Sequence, residues 1–313
     1  MKFEPAKKEE DSDMLENENM ALFPDSQYWA IESLAFRQFL NRTRGPLSLE
    51  QIEAVNVNAA AGKPGYQTYN KVAVLRIRGV MEKLPTIMGN VFGDTATVNI
   101  RRSVKAALQD RSVENILLVI DSPGGTVDGI HELGDALHQA RQIKPITAQV
   151  DGLGASAAYW AAAQANQIFL GRGDQVGSIG VRMALYDYHK MFENEGVEAV
   201  VIDTGVHKSA GQTGTEITEE QRKEFQRITD IYYENFLNAI QRGRGMSRET
   251  VKPLADGRVF VGQEAVDLGL ADAVQTFEET LMQISRKPGV SRESVRRQVE
   301  LIRMGGCPES SLS

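Results

Sequence analysis

The stretch Gly152-Leu153-Gly154-Ala155-Ser156-Ala157-Ala158-Tyr159-Trp160 joins an apolar run to an alanine-rich segment. The run at 145–150 predicts a short strand, and residues 155–165 contain neither glycine nor proline, which favours a helix. Ser156 is therefore expected on a glycine-rich turn at a helix start. Backbone N–H groups there can stabilise an anion beside the hydroxyl. A serine at this position can equally be an ordinary N-cap, and the turn alone does not decide between the two.

Similar strand–turn–helix units recur along the chain. The run at 115–120 is almost continuously apolar, which is typical of a strand buried on both faces of a parallel sheet. It leads into Asp121-Ser122-Pro123-Gly124-Gly125, whose paired glycines allow close backbone approach to a ligand. The alternation predicts an α/β fold. Further strands are predicted at 72–77, 167–170, 176–181, 197–202, 259–261 and 271–274, and helices at 97–109, 127–141, 184–195, 218–242 and 263–268.

The composition divides the chain into four parts. Residues 1–22 are charged and poor in apolar side chains, so a disordered acidic arm is expected. Residues 23–66 are interpreted as a helical extension, with helices at about 27–42 and 49–60. The main domain is predicted at 67–275. The remaining residues, 276–313, are interpreted as a C-terminal tail.

Charge and cysteine content exclude several classes of function. The net charge of −7 disfavours nucleic acid as a partner, because phosphate binding needs an excess of lysine and arginine. The single cysteine, Cys307, rules out an intrachain disulfide and a multi-cysteine zinc site. There is no secretory signal and no apolar stretch of membrane-spanning length. A soluble, intracellular protein, located in the cytoplasm, is the expectation.

A serine nucleophile needs a base, and two residues on one loop are candidates. Of the four histidines, His131, His138 and His189 lie on predicted helices where a surface role is the simpler interpretation. His207 and Lys208 follow the predicted strand 197–202. A lysine desolvated there could be neutral and accept a proton. The residues alone leave both bases open.

Four ordered motifs resemble the signal peptide peptidase A family of serine–lysine peptidases, within the ClpP/crotonase superfamily. The motifs are the turn at 121–125, Gly154–Tyr159, Val176–Gly180 and His207–Gly211, followed by a late segment at 257–260. The resemblance covers about residues 70–275 and implies a ClpP/crotonase-like fold of stacked βαβ units. The roles it implies are Ser156 as nucleophile, Lys208 as general base, Gly125 and Ala157 as oxyanion donors, and Gly124 and Ser178 as supporting residues.

Two departures from the family refine this interpretation. Members bound to membranes carry an N-terminal anchor, whereas this chain has an acidic arm and Tyr28-Trp29-Ala30-Ile31, which resembles the phage branch of prohead maturation proteases. Ala157-Ala158 stands where many relatives have glycines, which affects the adjacent pocket. The resemblance implies scaffold, portal or capsid proteins as substrates, possible self-cleavage, and a homo-oligomer acting in the procapsid without metal or cofactor. The alternatives are a soluble bacterial signal-peptide-peptidase-like protease, a crotonase-like acyl-CoA enzyme and a non-catalytic assembly protein.

Overall fold

The computed structural model of the protein describes residues 28–32, 65–285 and 300. None of the helices in these ranges combines the length and apolar character needed to cross a membrane. The strands are β1 (Trp29–Ile31), β2 (Gln67–Tyr69), β3 (Val72–Glu82), β4 (Thr95–Ala96), β5 (Asn115–Thr126), β6 (Ile146–Ala155), β7 (Gln167–Leu170), β8 (Gln175–Gly177), β9 (Val259–Val261) and β10 (Ala273–Val274). The helices are α1 (Ile87–Phe92), α2 (Thr97–Gln109), α3 (Ile130–Ala140), α4 (Ala157–Ala162), α5 (His189–Asn194), α6 (Glu219–Arg244), α7 (Arg248–Val251), α8 (Gln263–Asp267) and α9 (Phe277–Ser285).

One twisted sheet organises the domain. Its main path runs β10-β7-β6-β5-β3-β2, and β3, β5, β6 and β7 are mutually parallel. Beyond β7, the end of β6 pairs with β8, which is antiparallel to β9. The parallel strands are connected through helices, as the alternation of apolar runs and helical segments predicts. The predicted α/β class is therefore confirmed.

The central strand β5 is covered on both faces, which explains its continuous apolar sequence. On one face Leu118 belongs to a large core with Ile100 of α2 and residues of α3, α4 and α6. On the other face Leu117 packs with Phe277 and Leu281 of α9. Since α9 completes this second core, the packed domain extends beyond the boundary predicted at residue 275.

The N-terminal extension differs from the prediction where the structure describes it. Residues 29–31 form a strand, not part of a helix over 27–42. This strand pairs antiparallel with residues 124–126 of β5, and such tertiary pairing overrides a local helical pattern. The rest of the predicted extension, the acidic arm and nearly all of the tail beyond residue 285 lie outside the described residues.

The strand predicted at 197–202 does not form, and the preceding helix is limited to α5. Val200 is 76% exposed and Ile202 is 95% exposed, so the apolar run is not a buried strand. A strand needs a neighbour for its backbone hydrogen bonds, and no strand in the described ranges pairs with this run. Residues 197–206 are referred to below as the exposed segment.

Candidate active site

Ser156 lies between β6 and α4 in a conformation that is unusual for a serine. Its φ is +55° and its ψ is −121°, and the residue is only 1% exposed. Although it occupies the N-cap position, its hydroxyl makes no capping hydrogen bond to α4. A capping serine normally adopts extended backbone angles, and a strained backbone of this kind costs about 1–3 kcal/mol. The ordinary N-cap interpretation is therefore excluded.

The same turn occurs a second time in the molecule, where glycine occupies it. Gly262 occupies the N-cap position of α8 with φ +49° and ψ −119°. Glycine adopts these angles readily because it has no Cβ. The serine at the equivalent position of α4 does not have that freedom. A side chain held on a sharp strand-to-helix turn is typical of a nucleophile presented at the edge of a sheet.

The glycine turn at the end of β5 lies against Ser156. Gly124 has a φ of +96°, and a Cβ built on it would be 2.8 Å from the nitrogen of Ala157 and 2.9 Å from the Cβ of Ser156. A Cβ on Gly125 would overlap the carbonyl oxygen of Met81 on the neighbouring strand. Both positions thus require glycine for close approach of backbones. The structure brings Gly124 against Ser156 and Ala157, and Gly125 follows it directly on the same turn.

Ser122 is a supporting residue that the sequence analysis did not assign. It is fully buried, and its hydroxyl donates to the carbonyl oxygen of Gly79 at 2.6 Å. The same hydroxyl accepts a hydrogen bond from the backbone N–H of Gly124 at 3.2 Å. This pair of bonds fixes the turn before the glycines. The signal in the sequence was a small polar side chain two residues after the apolar run at 115–120, because such a group must find hydrogen-bond partners when it is buried.

Ser178 lies on the opposite side of Ser156 from the glycine turn. The backbone N–H of Ser156 donates to the carbonyl of Gly177 at 2.8 Å, and Ser178 itself is buried with a φ of +48°. Its N–H donates to the carbonyl of Arg258 at 2.7 Å, so the late segment predicted at 257–260 supports this turn. Ser178 also lines a cavity of about 300 Å³, together with Trp29, Ile31, Gly180, Tyr233 and Asp256.

Neither predicted base is in contact with Ser156. Lys208 is exposed on a turn, where its backbone N–H donates to the carbonyl of Gly205 at 2.9 Å. His207 is also exposed, and its Nε2 is 4.0 Å from a carboxylate oxygen of Glu220. Among the described residues, no hydrogen bond or ion pair links either side chain to Ser156. The structure thus places the glycine turn against Ser156 but leaves both candidate bases away from it.

Two ionisable groups near the site have structural roles. Burial raises the pKa of Asp121, at the start of the glycine turn, although the backbone N–H of Leu153 opposes this shift. Burial also lowers the pKa of His131, whose ring packs edge-on against Trp160 with 4.6 Å between centroids. His131 is therefore a half-buried packing residue on α3, and not the surface histidine that the sequence favoured.

The family model and the relatives of known sequence agree on one family for this chain. The model of peptidase family S49 matches residues 138–291, a range that contains Ser156, Ser178 and Lys208. The chain is 32% identical over 187 residues to "Putative protease MJ0651" of Methanocaldococcus jannaschii, covering 60% of each protein. It is 32% identical over 207 residues to "Capsid assembly protease C" of Escherichia phage lambda, covering 66% of this chain and 47% of the phage protein.

A third relative is matched over most of its length. "Putative protease slr0021" of Synechocystis is 31% identical over 198 residues, which cover 62% of this chain and 72% of the relative. The match to each of the two preceding relatives spans less than two thirds of its length. The region that the family model matches includes the turn at Gly177–Ser178 beside Ser156 and the loop that carries Lys208, but not the glycine turn at 121–125. On these similarities the chain belongs to peptidase family S49.

Proposed function

We propose that this protein is a serine endopeptidase with Ser156 as nucleophile and Lys208 as general base. The observation that carries the proposal is the conformation of Ser156, which is strained and buried and makes no capping bond. Its hydroxyl would attack a peptide carbonyl, and water would then hydrolyse the acyl-enzyme. Membership of family S49 supports a peptidase over a crotonase-like acyl-CoA enzyme or a non-catalytic assembly protein.

The backbone N–H groups of Gly125 and Ala157 are the proposed oxyanion donors. Gly124 supports this arrangement because a Cβ there would crowd the Ala157 nitrogen and the Ser156 side chain. Oxyanion donors act on charge that develops only in the transition state, and removing one typically costs about 10²–10³ in kcat. No metal or cofactor takes part in this scheme.

Lys208 must become neutral and approach Ser156, and a subunit contact would accomplish both. The exposed segment directly precedes it and presents Val197, Val200, Ile202 and Val206 to solvent. Contiguous exposed apolar surface of this kind marks an interaction site. Covering it with a second copy of the chain would remove water from the ammonium group and favour its neutral form. A homo-oligomer, with ring-like association favoured, is therefore part of the proposal.

The proposed biological role is maturation of a phage head. Its support is the similarity to a protein named as a capsid assembly protease. Scaffold, portal or capsid proteins are then the substrates, and the procapsid in the host cytoplasm is the place of action. The alternative is a soluble peptidase similar to signal peptide peptidase A. Its support is that the relatives from Methanocaldococcus jannaschii and Synechocystis come from cellular organisms and are named only as putative proteases. Cleavage of signal peptides, but not of lambda-type coat, portal and scaffold proteins, would favour that alternative.

Covalent labelling tests the nucleophile. A fluorophosphonate probe should add to the full chain at Ser156, and mass spectrometry of the digested protein should locate the adduct. Ser156→Ala should remain unlabelled. Ser103→Ala is the matched control, because Ser103 is also buried but donates to the carbonyl of Asn99 on α2, away from the site. Labelling of Ser156→Ala at the level of the unmodified protein would reject the assignment.

A further inference from the structure

The segment Tyr28–Glu32 is hydrogen-bonded along both of its edges. On one edge β1 runs antiparallel to residues 124–126 of β5. On the other edge Trp29 and Arg182 exchange both backbone hydrogen bonds, each 3.0 Å long. The segment thus lies between the glycine turn and the stretch that follows β8. Extended peptides bind in the same way when they add a strand to a sheet, with backbone bonds for affinity and pockets for alternate side chains.

The register directs the carbonyl group of Ala30 at the oxyanion site. Ala30 is opposite Gly125, and two positions away the N–H of Val127 donates to the carbonyl of Tyr28 at 3.0 Å. Hydrogen-bonded pairs alternate along an antiparallel ladder, so Ala30 and Gly125 form the next such pair. The N–H group proposed as an oxyanion donor is therefore directed at a peptide carbonyl of the same chain.

The atoms around Gly124 show independently that the Ala30 carbonyl lies beside Ser156. A Cβ built on Gly124 would overlap the carbonyl oxygen of Ala30, and the same point is 2.8 Å from the nitrogen of Ala157 and 2.9 Å from the Cβ of Ser156. The Ala30 carbonyl, the second proposed donor and the nucleophile therefore surround one small space. A substrate carbonyl would have to occupy this position for attack by the serine hydroxyl.

The side chains of the segment hold this register. Trp29 and Ile31 both line the 300 Å³ cavity beside Ser178. Ala30, on the other face of the strand, belongs to the main core and is 1% exposed. A shift by one residue would exchange these faces and force a large side chain into the position of Ala30. The packing thus requires a small side chain at position 30, whose carbonyl group faces the proposed oxyanion site.

We infer that Tyr28–Glu32 is an intramolecular substrate and that the enzyme cleaves its own Ala30–Ile31 bond. Lys208 would accept the hydroxyl proton of Ser156 as the serine oxygen forms an ester with the Ala30 carbonyl carbon. The C–N bond then breaks, and the nitrogen of Ile31 takes that proton from Lys208 and leaves as an amine. Water would then hydrolyse the ester, which regenerates Ser156 and gives Ala30 a free carboxylate. Until this cut, the segment fills the groove that a protein substrate would use.

This inference rests on the proposed function, and one experiment separates the two. The purified full chain and Ser156→Ala are incubated, and new N-termini are mapped by mass spectrometry. The unmodified chain should accumulate a fragment that begins at Ile31, and Ser156→Ala should remain intact. A denatured protein such as casein is digested in parallel. If the enzyme digests casein but never cuts before Ile31, the self-substrate inference is wrong and the peptidase proposal stands. If neither cut occurs and Ser156 is not labelled, both fail.

A mixing experiment tests whether cleavage is intramolecular. Tagged Ser156→Ala is incubated with an excess of active enzyme. Its own groove holds its own segment, so its N-terminus should stay intact while the active chains are cut. Cleavage of the tagged chain before Ile31 would overturn the intramolecular assignment. Ala30→Trp should abolish the cut in the active enzyme and Ala30→Gly should retain it, with casein digestion as evidence that each variant folds. Equal cutting of both variants would contradict the register.

Discussion

The strain at Ser156 can be measured by comparing two alanine-to-glycine steps. The first step compares Ser156→Ala with Ser156→Gly, at a position with φ +55°. The second adds Ala158→Gly to the Ser156→Ala variant, at a buried helical position two residues away. Both steps remove one methyl group and both increase the freedom of the unfolded chain. All the variants lack the serine hydroxyl, so none can cleave itself during the measurement.

The two steps should differ in the free energy of unfolding by about the strain energy, roughly 1–3 kcal/mol. At Ala158, glycine should destabilise the domain by about 1 kcal/mol or more, because it loses helix propensity and buried contacts. At position 156, relief of the positive φ should offset these losses, so that Ser156→Gly is at least as stable as Ser156→Ala.

Urea unfolding of the three variants, followed by circular dichroism, gives the required differences in free energy. In thermal unfolding, each kcal/mol should correspond to roughly 2–4 °C in Tm for a domain of this size. Equal destabilisation by glycine at the two positions would mean that no strain is held at Ser156. The backbone conformation of Ser156 would then give no reason to assign this serine a chemical role.

Three further experiments test the remaining parts of the site. Lys208→Arg should lower kcat/KM by on the order of 10³ or more, because arginine stays protonated and cannot accept the serine proton. His207→Ala should keep most of the activity. The reverse result would require a histidine base. Gly124→Ala should lower kcat by on the order of 10²–10³, because the added Cβ would crowd the nitrogen of Ala157. Gly93→Ala is the control: it also has a positive φ, +73°, but no atom lies within 4 Å of the added Cβ, so it should affect stability only. Equal activity in the two variants would contradict the oxyanion geometry. Ile202→Asp should yield a monomer in light scattering and lose activity, and an active monomer would refute the role assigned to the exposed segment.

The sheet could be predicted because its signals are local. The apolar runs of β3, β5 and β6 and the glycines after them identify strand–turn–helix units without knowledge of their neighbours. The place of Ser156 at the end of β6 followed from the same signals. Its backbone angles did not, because a serine at a helix start is usually a cap, and only the three-dimensional turn shows that this one is not.

The features that the sequence did not predict depend on distant partners. Residues 29–31 have a spacing compatible with a helix, and they become a strand only because the edges of residues 124–126 and Arg182 are available. Residues 197–202 are rich in β-branched side chains, yet no strand in the described part of the chain offers them a partner. In both cases the secondary-structure preference of the local sequence is weak. The presence or absence of a neighbouring strand for backbone hydrogen bonds decides the structure.

The strand at residues 29–31 and the exposed segment together indicate an order of events. The proposed nucleophile, the proposed oxyanion turn and a peptide carbonyl lie together within one chain, and the proposed base is the component that remains exposed. Cleavage of Ala30–Ile31 would then wait for the contact that buries the exposed segment and delivers Lys208. Assembly would precede activation, and an isolated chain would keep its groove filled by its own segment. Ile202→Asp should therefore leave the Ala30–Ile31 bond uncut, although residue 202 lies outside the segment that is cleaved. Cutting at the unmodified rate in that variant would show that cleavage does not depend on subunit assembly.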